Sequence, residues 1–234
     1  MTAAALEFAG VSKNYGALRP LRIAELRIAE RELVAIAGLD RAAAEVFIDL
    51  ATGATLPDAG TVTLFGRPTS EITDSADWLA TIDRVGIVSE RAVLLNQLTV
   101  VQNLAMPFTL DIEPPPDAER ARAEALAQEV GLPQAVWTRR LTDLDGDAAA
   151  RVRLGRAIAL DPAVVLLEHM SARLPREAVA AFGAAVRAVA ERRGLALVAA
   201  TADDAFARAV APRVLTLEPA TGRLKEGRHW FWER

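Results

Sequence analysis

Cysteine is absent from the 234 residues of this chain. That excludes a disulfide framework, thiol catalysis and cysteine-based metal sites, and it is compatible with a reducing compartment. Imidazole is scarce as well, because His169 and His229 are the two histidines. No stretch reaches the roughly 18 consecutive apolar residues of a membrane helix, and the opening MTAAALEFAGVSKNYG has no cationic region followed by an apolar run. We therefore expect a cytoplasmic protein with no direct membrane insertion, which meets a membrane only through a partner. Net charge is −4 and the arginines are scattered among acids, so no basic stripe points to nucleic acid. Lysine is the most telling shortage: Lys13 and Lys225 are the only two. What remains, 52% hydrophobic and 25% charged, is enough to bury one substantial core.

Short apolar runs at 33–37 (LVAIA), 85–88, 164–167 and 195–200 do not alternate with polar residues, as half-exposed strands would. They read as buried parallel strands. Between them lie helical patterns at 42–52, ended by Gly53, at 118–130 before Gly131, at 148–160 before Asp161-Pro162, and at 175–193 before Gly194. Strands alternating with helices imply an α/β sheet with helices on both faces. Residues 60–66 (GTVTLFG) alternate like a hairpin strand, and the run Pro114, Pro115, Pro116 introduces a helical stretch with no strand until Val164. A small N-terminal antiparallel β subdomain and an inserted helical subdomain are expected.

Several strings, in order, resemble the ATP-binding domain of ABC transporters over nearly the whole chain. VSKNYG places Tyr15 23 positions before Gly38, AIAGLDRAAAEVFIDLATG stands at the phosphate-loop position, and LNQLTVVQNLAMPF is similar to the segment near the permease. RVRLGRAIALDPAVVLLEHMSARLP resembles the stretch from the signature helix into the Walker B strand. The resemblance implies a P-loop NTPase-like, mostly parallel sheet within one domain over 1–234. It would comprise a RecA-like core at about 1–89 and 162–234 and a helical subdomain at about 90–161.

The resemblance also assigns positions, and most carry the wrong chemistry. Gly38 is kept, but Ala43, Ala44 and Glu45 stand where the phosphate loop has glycine, lysine and a hydroxyl. That lysine is a point charge on the β/γ-phosphates, the hydroxyl binds magnesium, and an alanine methyl sits where backbone must approach phosphate. Glu45 gives about 0.3–1 kcal/mol to the helix end, yet repels phosphate by on the order of 4 kcal/mol per charge pair. Glu90 stands at the glutamine, Glu168 at the Walker B aspartate, His169 at the catalytic glutamate and Ala202 at the switch histidine. The signature reads LDGDA, with Gly146 kept and Asp145 and Asp147 aimed at a γ-phosphate on the opposite subunit.

In the family each site joins one chain's phosphate loop to the other's signature, so neither composite site is expected to hydrolyse ATP by the usual route. The expected protein is a non-hydrolysing structural or regulatory subunit, with no cofactor, or ATP and Mg if residual binding persists. Its partners would be a membrane permease and a second ABC-type subunit, identical or not, placing it peripheral to the inner membrane. The alternatives are a divergent ATPase of lipid or lipoprotein export type, with Arg41 replacing the lysine, and an interaction module detached from transport.

Blander readings stand beside these. Tyr15 is an adenine platform or a buried loop aromatic, and His169 is a strand-end residue without chemistry. Asp203 and Asp204 start a helix rather than bind metal. Glu45, Glu90, Glu168, Asp145 and Asp147 read as repulsive remnants rather than a metal site, and no metal is expected. Leu94, Leu95, Leu98 and Val101 contact the permease or pack the helical insertion. Trp230, Phe231 and Trp232 form a last strand or a docking tail.

Overall fold

The computed structural model describes residues 3–72 and 74–227. The tail containing Trp230, Phe231 and Trp232 lies outside them. A four-stranded antiparallel sheet opens the fold, with strand order β2-β1-β4-β5. Its strands are β1 (Ala4–Lys13), β2 (Leu21–Ala29), β4 (Ala59–Leu64) and the two-residue β5 (Arg67–Pro68). The hairpin expected at 60–66 is β4 turning through Phe65 and Gly66, both at positive φ, so that Leu64 pairs with Arg67. A two-residue turn with both φ values positive matches the right-handed twist of its strands.

The main sheet has six strands. β3 (Leu33–Ala37), β6 (Val85–Val88), β7 (Val164–Glu168), β8 (Ala196–Thr201), β9 (Arg213–Glu218) and β10 (Arg223–Glu226) lie in the order β10-β9-β3-β8-β7-β6. All neighbours are parallel except the β9–β10 pair. Strands β3, β7 and β8 are buried along their whole length. Successive side chains point to opposite faces of a strand, and here each face has its own core. Leu33, Ala35, Val165 and Leu167 join one apolar cluster with α3 (Val100–Ala105), α4 (Asp117–Glu129), α5 (Gly146–Ile158), α6 (Arg176–Arg193) and α7 (Asp204–Val210). Val34, Ile36, Val164 and Leu166 join the other, with α1 (Arg41–Ala51) and the antiparallel sheet. Burial on both faces is why these strands read as unbroken apolar runs.

Phe47 of α1 stacks on Phe8 of β1, with ring centroids 5.0 Å apart and planes at 9°, and so fastens the antiparallel sheet to the first helix. The remaining helix, α2 (Ser75–Ile82), buries none of its residues. Helix α7 is capped by Asp203, which accepts from the Ala205 and Phe206 amides, so this acid pair begins a helix as expected.

Candidate functional site

The strand–turn–helix unit β3–α1 defines one end of the site. Gly38 leaves β3 at φ 87°, a conformation glycine adopts without strain. Helix α1 is already under way at Arg41, so Ala43 and Ala44 are helical and buried rather than part of an open loop. Asp40 caps the helix, its Oδ1 accepting from the Ala43 amide at 2.8 Å, while its carbonyl accepts from the Ala44 amide at 2.9 Å. Two amides at the phosphate-loop position are thereby engaged within the chain. Tyr15 packs partly buried on the neighbouring core, and burial together with the charge of Asp40 pushes its hydroxyl pKa up.

The other end comes from the termini of β6 and β7. Glu168 is 5% exposed, and its Oε2 accepts from Nη2 of Arg91 at 3.1 Å. Nη1 of the same guanidinium donates to Glu45 at 2.9 Å, and Asp49 stands 3.5 Å away. Burial pulls the Arg91 pKa down, but the charge and hydrogen bond of Glu168, with the charges of Asp49 and Glu45, hold it above its ordinary value. The Arg91 guanidinium therefore sits between the carboxylates of Glu45 and Glu168. Glu90 does not join it; its oxygens pair with Arg41 at 3.4 Å and Arg173 at 2.7 Å. Arg41, expected under one reading to replace the lysine, is thus held by Glu90.

Asp49 behaves oppositely to its neighbour. Burial, and less strongly the charges of Glu45 and Glu168, raise its pKa despite Arg91. The two shifts coexist because the guanidinium gains most from Glu168, whereas Asp49 keeps only a long contact with it. A raised folded-state pKa means that the charged form is penalised in the fold, and the penalty disappears below the unfolded value near 3.8. Asp49→Asn is therefore expected to raise the melting midpoint at pH 7, with the difference fading as pH falls towards that value. Melting curves of both proteins across this range check it.

His169 takes φ 44° just after β7, its amide donating to the Ala200 carbonyl at 3.0 Å. Its Nε2 is buried and has no hydrogen-bond partner among the described residues. With Arg41, Glu90, Glu168 and Ala172 it lines a cavity of about 120 Å³. Ala202 is exposed after β8 and offers no polar group.

The signature-like segment is held by contacts within its own chain. Asp145 caps α5 by accepting from the Ala148 amide at 2.9 Å, and Asp147 pairs with Arg151 of the same helix at 2.6 Å. Both carboxylates have partners inside their own chain, and Asp145 also remains exposed. Gly146 has a packing reason to stay glycine, because an added Cβ would lie 2.7 Å from the Arg173 carbonyl oxygen. The four partner-contact candidates separate by burial. Leu94 and Val101 are buried at 9% and 7% exposure and belong to the helical core. Leu98 is partly covered, whereas Leu95 at 39% and its neighbour Val93 at 72% face outward.

Arg91, Asp40, Asp49 and Arg173 were not read from the sequence as site residues. Asp40 carried a local signal, a capping acid three residues before Ala43 at the head of an apolar-periodic run. Arg91 carried none, because its partners lie 46 and 77 positions away.

No helix among the described residues is long and apolar enough to cross a membrane. A family model described as ABC transporter matches residues 21–170. The methionine import ATP-binding protein MetN of Brucella abortus (strain 2308) is 28% identical over 215 residues, covering 91% of this chain and 57% of that protein. The sulfate/thiosulfate import ATP-binding protein CysA of Caulobacter vibrioides is 30% identical over 221 residues, covering 92% and 62%. The chain thus spans about six-tenths of the length of these curated relatives. Among solved structures, a dimeric post-hydrolysis state of the ATP-binding cassette MJ0796 bound to ADP and Pi shares the fold at TM-score 0.75 and 21% identity, over 95% of this chain and 97% of that one. The cbiO1 protein of Clostridium perfringens, part of the ABC transporter complex cbiONQ, does so at TM-score 0.79 and 18% identity, over 96% and 88%. On the family match over its greater part, this chain belongs to the ABC transporter family.

Proposed function

We propose that this chain is a non-hydrolysing subunit of a membrane transport complex, structural or regulatory in role. The observation that carries the reading is the Arg91 guanidinium lodged between Glu45 and Glu168. An ATP-using member of the family needs a magnesium ion near those positions and a lysine charge on the phosphates. Here an internal cation takes the first role, and buried Ala44 stands at the position of the second. The Asp40 carboxylate, already on the helix N-terminus, disfavours a second anion there. The residues present do not fit Mg-ATP, and no catalytic step through it follows from them.

The same reading places a second ABC-type subunit beside this one and a permease against the surface around Val93 and Leu95, with the chain at the cytoplasmic face of the inner membrane. The curated relatives named above are import proteins, which leaves the export resemblance without support from them. No particular cargo follows from this chain's own residues.

Thermal melting with and without Mg-ATP tests the reading. A site saturated 100-fold stabilises by about 2.7 kcal/mol, or roughly 5–10 °C for a chain of this size. No shift is expected, together with co-purification of a permease to the same extent with and without ATP. A nucleotide-dependent rise of that size would overturn the proposal.

A further inference from the structure

The segment leaving β6 is tied down from two directions. Arg41 at the start of α1 and Arg173 beyond β7 both reach Glu90, and Arg91 reaches back to Glu45 on α1 and Glu168 on β7. From the helical layer, Nη1 of Arg156 on α5 donates to the Val93 carbonyl at 2.8 Å. Residues 90–93 are therefore a hub joining α1 and β7 to α5. Where α4, α5 and α6 end, another arginine makes a comparable tie. Arg193, in the last turn of α6, forms a two-pronged pair with Glu129 of α4, at 2.7 Å from Nε and 2.6 Å from Nη2. Its Nη1 also donates to the Ile158 carbonyl of α5. The two side chains of this pair are only 19% and 24% exposed. Between the ties, α3, α4 and α5 share one apolar cluster with β6, β7, β8 and α6.

We propose that these two arginine clasps hold helices α3–α5 in a single posture on the sheet, independent of nucleotide. Apolar contact is non-directional, so a layer held by it alone can slide or pivot. Charge-assisted hydrogen bonds fix direction as well as distance, most of all when an arginine grips a carboxylate with two nitrogens. The first clasp grips the layer at α5 alone, and the second adds a grip on α4, so the layer is held at two helices and cannot pivot about one. The outward residues Val93 and Leu95 then meet any partner as part of a rigid plate. The inference goes beyond the loss of hydrolysis, since a subunit without ATP could still carry a mobile helical layer.

The absence of cysteine makes the test direct. Cysteines introduced at exposed Ala125 on α4 and Ala205 on α7 carry spin labels with no background thiol. Double electron–electron resonance is expected to give one narrow distance distribution, unmoved by millimolar Mg-ATP and broadened in Arg91→Ala and in Glu129→Gln. Glu45→Gln and Glu129→Gln each remove one partly exposed acceptor, and they keep the test decisive should Arg91→Ala fail to fold. A broad or two-peaked distribution in the parent protein, or unchanged widths in variants that melt cooperatively, would overturn the proposal. A Mg-ATP shift of the melting midpoint with unmoved distances would overturn the proposed function and leave the clasps standing.

Discussion

A lysine placed at position 44 is expected to destabilise the chain by on the order of 3 kcal/mol and, on the proposed function, to confer no Mg-ATP binding. Ala44 has no exposed surface and sits in the same apolar cluster as Phe47, Ile48 and Val198. Because α1 has begun by Arg41, the side chain at 44 points into that core and not towards a phosphate. A lysine would have to place four methylenes in close-packed space, costing about 1–3 kcal/mol. Its ammonium must also lose water or bend out to the surface, which adds to the cost. Urea denaturation of Ala44→Lys measures the first half of the prediction, and a fluorescent ATP analogue measures the second. Tight Mg-dependent binding by this single variant would mean that the site needs only its lysine, against both the helix start and the Arg91 contact as causes.

Phe47→Ala is expected to cost about 3–5 kcal/mol, the range for emptying a buried aromatic site. Phe47 is fully buried and stacks on Phe8, which is 1% exposed. It is one of the contacts through which α1 leans on the antiparallel sheet, so the cavity opens between two elements rather than within one. The cost should lie at the upper end if the sheet cannot settle onto α1, and at the lower end if it can. Guanidinium denaturation gives the total. Hydrogen exchange should show the loss concentrated in β1 and β2, with β7 and β8 changed only by the global term.

The sequence was most legible where burial is most complete. β3, β6 and β7 were readable to within a residue because both faces of each strand are apolar, and Gly194 marked the end of α6 through its left-handed turn. The edge elements were harder. β9 alternates over six residues, and β10 carries Arg223, Lys225 and Glu226 outward, so neither gives a continuous apolar run. α2 buries nothing, which leaves no stripe to detect. In the site, one-dimensional reading could compare each position with the family's motifs, since the side chain present at each is visible in a string. What fills the space was not visible, because Arg91 reaches carboxylates on α1 and β7 that only the folded chain brings near. That Leu94 packs onto the helical core was one of two readings the sequence left open, and burial in the folded chain selects it.

The two-sided sheet also bears on how such a chain can change. Close packing makes a volume change felt chiefly by its immediate neighbours, and here those neighbours lie on one side of a backbone wall. A new methyl at the α1 end is absorbed by the cluster around Phe47, while the helices beyond β7 keep their own contacts. The sheet therefore insulates the two apolar clusters from each other's changes of volume, and what coupling there is between them runs through the polar hub at 90–93.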